Sequence, residues 1–410
     1  MNEKITHITV FGGTGMLGRP VVRELAAAGF KVTAMVRDAG RAASKLPEDV
    51  RIVEGDLSSK KDIRAALENA DAVYLNLSTR PDVKKYDSFI PEREGLENVL
   101  AVIDQINQKA RDASSRRSEQ EEEANPDPDV ADPSSRVDAD RGVTESPGEH
   151  GKSQSLSEQD KKESGSGHGK TGEHRVTDEH SITDDRRITD EHRITDEHRI
   201  TGERRITGAH RITGEQRITA AHRIKRVAAI SSLVQRYQGT AGFHWWVFEI
   251  KQWAEKMLRE ADVPVTVFYP SSFMETMDQG GVMQGRRLML VGKSRQPMHF
   301  IAGSDYGRMV AEAFRHHDES DQFYDIHGPE PLTFDDAALE FIKNYRHGPI
   351  KITRVPMWLI KLFGTLNGEM NYLAHIMDAL NNYAEPGPDP SVREKLGHPK
   401  VTMAQYARRL

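Results

Sequence analysis

Between Ile5 and Phe11 apolar and polar positions alternate, and the run closes on Gly12-Gly13-Thr14-Gly15-Met16-Leu17-Gly18. A period of two predicts a strand. A helix is predicted next, from about Met16 to Ala28, with Gly29 as its stop. Lys31–Val36, Arg51–Glu54 and Ala72–Leu77 read as further strands, with a helix from Lys60 to Asn69 before the last. Beyond a long polar interval, strands resume at Arg226–Ser231 and Val265–Tyr269, separated by a helix carrying Phe243 to Lys251. The last hundred residues read as mixed helix and strand. A helix Tyr306–His316 is capped by Ser304-Asp305, a strand covers Tyr324–His327, Thr333 caps another helix, and Met403–Arg409 forms a terminal one. This order predicts an α/β protein: a doubly wound parallel sheet with a smaller C-terminal α/β lobe.

The polar interval has its own pattern. Phe, Tyr and Trp are missing between Phe89 and Tyr237, and from Arg175 six-residue units recur: RVTDEH, SITDDR, RITDEH twice, RITGER, RITGAH, RITGEQ and RITAAH. On a helix, six steps turn the single aliphatic residue by about 240°, so no apolar stripe forms. On a strand it keeps one face but shares it with Asp or Gly and with His or Arg. Each unit buries too little to offset about 1–2 kcal/mol of backbone entropy per residue. A disordered insert is therefore expected over residues 108–222. A hexapeptide β-helix is the structured alternative, but His, Arg or Gln stands where such coils place a small residue. The repeat histidines read as solvated rather than as metal ligands. Without the insert about 295 residues remain, an ordinary size for one α/β domain with an appended lobe. The expected organisation is 1–107 and 223–300 for the sheet domain and 301–410 for a substrate or partner lobe.

Composition narrows the function. Lys and Arg number 57 against 63 Asp and Glu, a net charge of −6, so no globally basic surface recruits nucleic acid or acidic lipid. Cysteine is absent, which excludes disulfides, thiolate metal sites and a cysteine nucleophile and fits a reducing compartment. The low mean hydropathy of −0.65 is explained by the insert. No apolar run reaches about 18 residues, and Met1-Asn2-Glu3-Lys4 does not read as a signal peptide; a cytoplasmic protein without a membrane span is expected. No paired carboxylates or metal-ligand cluster stands out in the C-terminal region, and no metal is expected.

Strand, glycine turn, helix, strand is the first half of a dinucleotide-binding, or Rossmann, unit. Gly12 permits the tight turn, Gly15 lets a pyrophosphate reach the main-chain amides of Gly13, Thr14, Met16 and Leu17, and Gly18 lets helix and strand pack closely. Arg37 follows the second strand where an acidic residue would favour NAD, and its guanidinium suits a 2′-phosphate. NADP is thus preferred to NAD, although Asp38 pulls the other way and Arg37 also reads as a solvated charge. Asp56 can accept from an adenine amino group and Leu57 can cover its face. Asn76-Leu77-Ser78 should line the cofactor cleft, because ligands bind outside strand carboxyl ends in such sheets.

On VFGGTGMLG, GDL at 55–57, EGLENVL at 94–100, KRVAAISS ending at Ser232 and the Lys251 segment, the chain resembles the extended and atypical short-chain dehydrogenase/reductases, especially the NmrA-like group. The resemblance covers about residues 4–107 and 223–330 well and the last 80 weakly. It implies that the insert hangs on the edge of the sheet opposite the cofactor, between the helix Gly95 to about Gln108 and the strand at Arg226. The insert would then be dispensable for cofactor binding; a partner-binding tail is the alternative. Catalytic relatives carry Tyr-x-x-x-Lys; here Lys251 matches but Val247 holds the Tyr position. The isoflavone-reductase-like branch, similar at Phe248-x-x-Lys251 and Pro264-x-Thr266, credits the Lys itself with acid–base work. Lys251 is accordingly a candidate acid or a ribose ligand.

Ser231 and Ser232 end the fifth strand, where the resemblance implies a substrate-polarising Ser; Ser232 is taken as catalytic and Ser231 as a cofactor contact. His244 is a candidate acid, and Trp245 and Trp246 stand at the pocket mouth or in the core. The resemblance implies that the turn Pro270-Ser271-Ser272-Phe273-Met274, after the strand ending at Tyr269, passes the nicotinamide carboxamide, with Tyr269, Pro270 and Ser271 as cofactor contacts. Phe273, Met274 and Met277 would form an apolar substrate wall or pack between lobes. The expected function is an NADPH-dependent reductase or isomerase of a small carbonyl or enone; the alternatives are a non-catalytic NADP(H) sensor with a regulatory protein partner and an assembly scaffold.

Overall fold

The computed structural model describes residues 4–124 and 222–410, with side chains to Arg116 in the first stretch. The hexapeptide units up to Ala221, and the disorder expected of them, lie outside the described residues.

The main sheet comprises β1 (His7–Phe11), β2 (Lys31–Val36), β3 (Arg51–Glu54), β4 (Ala72–Leu75), β5 (Arg226–Ile230), β6 (Val265–Pro270) and β9 (Gln322–Ile326). All are parallel, in the order β3-β2-β1-β4-β5-β6-β9. The order reverses between β1 and β4, which opens the crevice where such sheets bind ligands. A second, three-stranded sheet joins β7 (Met283–Gln284), β8 (Arg287–Val291) and β10 (Lys351–Val355) in the order β10-β8-β7.

Alternation along each strand feeds two cores. Val10 faces the layer of α1 (Gly18–Ala27) and α6 (Gly303–Arg315), whereas Phe11 faces that of α3 (Lys60–Ala66), α4 (Leu96–Ala124) and α5 (Trp246–Arg259). Each fully buried side chain of this kind contributes about 1.5–3 kcal/mol. The short α2 (Ala39–Ala43) follows β2. A third core holds β8, α7 (Phe334–Asn344), α9 (Gly368–Asn382) and α11 (Met403–Arg409), with α8 (Met357–Gly364) at its border and α10 (Pro390–Leu396) packed on α6 instead.

Several local expectations needed correction. The α4 helix runs to Ala124 rather than stopping near Gln108, because residues 109–124 contain good helix formers and neither Gly nor Pro. Asp305 does not cap α6; its buried carboxylate accepts from the amides of Lys400 and Val401 at 2.6 and 2.7 Å and anchors the C-terminal segment. The strand expected in the C-terminal lobe is β9, the seventh strand of the main sheet, in register with β6. The helix carrying Lys251 begins at Trp246, not Phe243, since Ala241 and Gly242 have φ of 50° and 76° and Phe243 and Trp245 are extended.

The buried Asn107 of α4 donates to the Ile224 carbonyl at 3.0 Å and accepts from the Ile224 amide at 2.7 Å. The chain is thus stapled on both sides of residues 108–222.

Candidate cofactor and active site

Three glycines of the first turn owe their identity to different constraints. Gly12 has a φ of +79°, and a Cβ there would lie 2.3 Å from the Asn76 carbonyl oxygen. A Cβ on Gly18 would lie 2.2 Å from the Gly12 carbonyl oxygen. Gly15 differs: its nearest Cβ contacts would be 3.4 and 3.6 Å, within van der Waals range, and it is exposed. The protein's own packing demands Gly12 and Gly18, while Gly15 leaves its space open for a ligand. Gly13 is buried and Thr14, Met16 and Leu17 are half-buried around it. Leu17 is the N-cap of α1 and offers no side-chain bond to the first helical amides, so that helix end and its dipole are suited to an anionic pyrophosphate. Asn76 steadies the turn by donating to the Gly12 carbonyl at 3.3 Å. Leu77 is buried and Ser78 exposed beyond β4.

At the end of β2, Arg37 is exposed. Asp38 is the N-cap of α2, accepting from the Arg41 amide at 2.9 Å, and pairs with the Arg41 guanidinium. Asp56 is held below the usual carboxylate range, chiefly by its bond from the Ser58 amide and also by the nearby positive charge of Arg37. Leu57 lies against Gly95 at the start of α4. These groups fit an adenosine end that carries an extra phosphate.

Lys251 projects from α5 into a pair that sequence reasoning missed. Its Nζ donates to Glu92 Oε1 at 2.5 Å, and both side chains are largely buried. Glu92 sits in a π-helical turn, Pro91–Gly95, that precedes α4. Its other oxygen accepts from the Thr79 amide at 2.6 Å and from the Thr79 hydroxyl. Ser231 and Lys251 line one cavity of about 30 Å³, together with Glu92 and Leu77; this holds a water or two, not a substrate. The Ser231 hydroxyl is buried without a protein partner. Ser232 instead starts a helical turn and lines no part of that cavity. Val247 is buried in the core.

The remaining candidates disperse. His244 is exposed. Trp245 is buried against Phe248, Tyr372 and His375. Tyr269 lies beneath Arg236 and within 3.4 Å of Arg259, and burial raises its pKa. Pro270 ends β6 inside the core, and the Ser271 hydroxyl is bound to Glu385. Phe273, Met274 and Met277 form no open wall: Phe273 packs edge-on to Tyr306, and the two methionines are fully buried in the third core, beneath β8 and α7.

A cleft of about 710 Å³ lies between the loop Pro81–Lys85, the start of α5 and α8–α9. Trp245, Trp246, Tyr372, Lys84 and Lys85 line it. Burial, followed by the charge of Glu92, pushes the Tyr372 phenol up to about 12. Contrary to expectation, one cluster of metal-ligand type exists among the described residues: His299, His327 and Glu385, drawn together from distant parts of the chain. Among the described residues no helix is long and apolar enough to cross a membrane.

Comparison with known proteins agrees with this geometry. A family described as NAD(P)H-binding matches residues 12–111. A 2-alkyl-3-oxoalkanoate reductase of Shewanella oneidensis is 34% identical over 99 residues, 24% of this chain and 25% of that protein; the chain thus matches only about a quarter of its curated relative. Among solved structures, the NADPH complex of an NADPH-dependent quinone oxidoreductase from Escherichia coli aligns with a TM-score of 0.55 at 13% identity, over 98% of this chain and 99% of that one. A nucleoside-diphosphate-sugar epimerase from Staphylococcus aureus aligns with a TM-score of 0.55 at 11% identity, over 98% and 100%. The chain therefore carries an NAD(P)H-binding domain on the fold shared by the NAD(P)-binding reductases and epimerases.

Proposed function

We propose that the protein is an NADPH-dependent reductase of a small, partly apolar carbonyl or enone compound. The reading rests on one observation: a largely buried lysine, Lys251, at the carboxyl end of the sheet, fixed by Glu92 and lining one cavity with the unpartnered hydroxyl of Ser231. NADPH is preferred to NADH because Arg37 is exposed at the end of β2 while Asp38 is engaged by α2 and Arg41. When bound, the coenzyme supplies a hydride. Lys251 donates the accompanying proton to the substrate oxygen, with Glu92 and Thr79 holding its ammonium in place. The aromatic cleft of Trp245, Trp246 and Tyr372 takes the substrate. A cytoplasmic site would give access to the coenzyme pool.

A specific feature favours a second reading. Val247 replaces the tyrosine that the resembling enzymes use, and Lys251 is already committed to an ion pair. A sensor of the NADPH/NADP ratio would need no proton donor, and Trp358, Leu362, Phe363 and Leu366 of the α8 region present exposed apolar surface to a protein partner. Hydride turnover on a panel of enones and quinones decides between them. Turnover lost in Lys251→Ala supports the reductase. Tight NADP binding without turnover, with partner capture that follows the NADPH/NADP ratio, supports the sensor.

A further inference from the structure

His327 follows the last residue of β9 and is 3% exposed, yet neither ring nitrogen makes a hydrogen bond. The Nδ1 of His299 is also buried and unpartnered. Their ring centroids stand 5.2 Å apart with the ring planes perpendicular. Glu385, from the loop after α9, turns its buried carboxylate toward them, with Oε2 3.8 Å from His299 Nδ1. That distance is too long for a hydrogen bond. The candidate ligand atoms of the three residues all lie within 4.8 Å of one another.

The carboxylate is aimed by its neighbours. The Ser271 hydroxyl lies 2.7 and 2.8 Å from its two oxygens, and the His299 amide donates to Oε2 at 3.1 Å. The backbone is fixed as well. The Gly328 amide donates to the His299 carbonyl at 2.9 Å, and a Cβ on Gly328 would lie 1.7 Å from the Phe300 carbonyl oxygen. Both histidines are thus held on one tight contact between the segment after β8 and the end of β9.

We infer that His299, His327 and Glu385 form a binding site for one divalent transition-metal ion of the zinc type, with a fourth position open to water or a ligand. Two imidazoles and one carboxylate are a recognised donor set for zinc. Tetrahedral bonds of about 2.05 Å place donors about 3.3 Å apart, so side-chain rotations that bring these atoms, now within 4.8 Å, together by up to about 1.5 Å suffice. Ser271 supplies the outer hydrogen bond that orients a ligating carboxylate. His327 lies at the carboxyl end of β9 and Ser271 at that of β6, and none of the three donors lines the Lys251 cavity. The inference does not depend on the reductase reading, and its test does not use turnover.

The test is a Zn²⁺ titration by calorimetry and a Co²⁺ titration by visible absorption on the full-length chain. The repeat histidines His180, His192, His198, His210 and His222 are replaced by Asn in every sample, so that they cannot contribute. One equivalent of Zn²⁺ per chain, a tetrahedral Co²⁺ spectrum, and affinity at least tenfold weaker in His327→Gln, His299→Gln and Glu385→Gln support the site. Near-ultraviolet circular dichroism of the metal-free variants checks that they are folded. Should a variant unfold, the milder Ser271→Ala is read instead, and a several-fold weaker affinity is expected. Absence of binding at micromolar Zn²⁺, or equal affinity in folded variants and parent, overturns the inference.

Discussion

Lys251 and Glu92 lie 159 residues apart in the chain and meet as a buried ion pair at 2.5 Å. Breaking one side of such a pair leaves an uncompensated charge. Glu92→Ala should therefore destabilise the protein by about 3 kcal/mol. Lys251→Met in the Glu92→Ala background should recover much of that loss. Urea unfolding of the two single variants and the double variant measures the coupling; additive losses would show that the pair contributes nothing of its own.

The glycine turn separates folding from ligand binding. Gly18→Ala should cost about 1–3 kcal/mol, since its methyl meets backbone and not a movable side chain. Gly15→Ala should leave the melting temperature nearly unchanged and weaken NADPH binding at least tenfold. Thermal denaturation and coenzyme titration of the two variants should therefore give opposite rankings.

Arg37→Ala should reduce NADPH affinity by about ten- to a hundredfold, the loss of one charge-assisted contact of about 1.5–3 kcal/mol. NADH affinity should change little. Equal losses for both coenzymes would remove Arg37 from the 2′-phosphate.

Burial raises the Glu275 carboxyl to about 7, although Oε1 accepts from the Gly303 amide at 2.9 Å; Oε2 has no partner. The native state thus holds a proton that the unfolded chain, near 4.3, releases. This contribution to stability is full below about pH 4, falls as pH rises toward 7 and then levels off. Glu275→Gln, which keeps an acceptor for Gly303, should exceed the parent in stability by about 2–3 kcal/mol at pH 8, and the gap should close below pH 4. Denaturant midpoints at pH 4, 6 and 8 check the slope.

The nucleotide half was legible because its signals are local. β2 and β3 match the predicted Lys31–Val36 and Arg51–Glu54, and α11 ends where Met403–Arg409 said it would, behind a Thr402/Gln405 capping box. The misses are contacts between distant segments. Alternation at Tyr324 announces a strand but not which sheet receives it. The helix expected from Gly95 begins beyond Glu92, and nothing nearby says that Glu92 meets Lys251. His299, His327 and Glu385 share no spacing at all; only the parallel sheet and the α9 loop assemble them. The apolar residues after β6 matched two roles equally well in sequence, and enclosure by the second sheet decided for packing.

The clasp of Asn107 on Ile224 has a consequence for how the polypeptide can be divided. Strands β1–β4 and strands β5, β6 and β9 are zipped edge to edge through β4 and β5, and the clasp locks that seam from the helix side. A protease nick anywhere from 125 to 221 would therefore yield two fragments that stay together. Expressed from separate messages, the same two pieces should find each other and rebuild the coenzyme crevice.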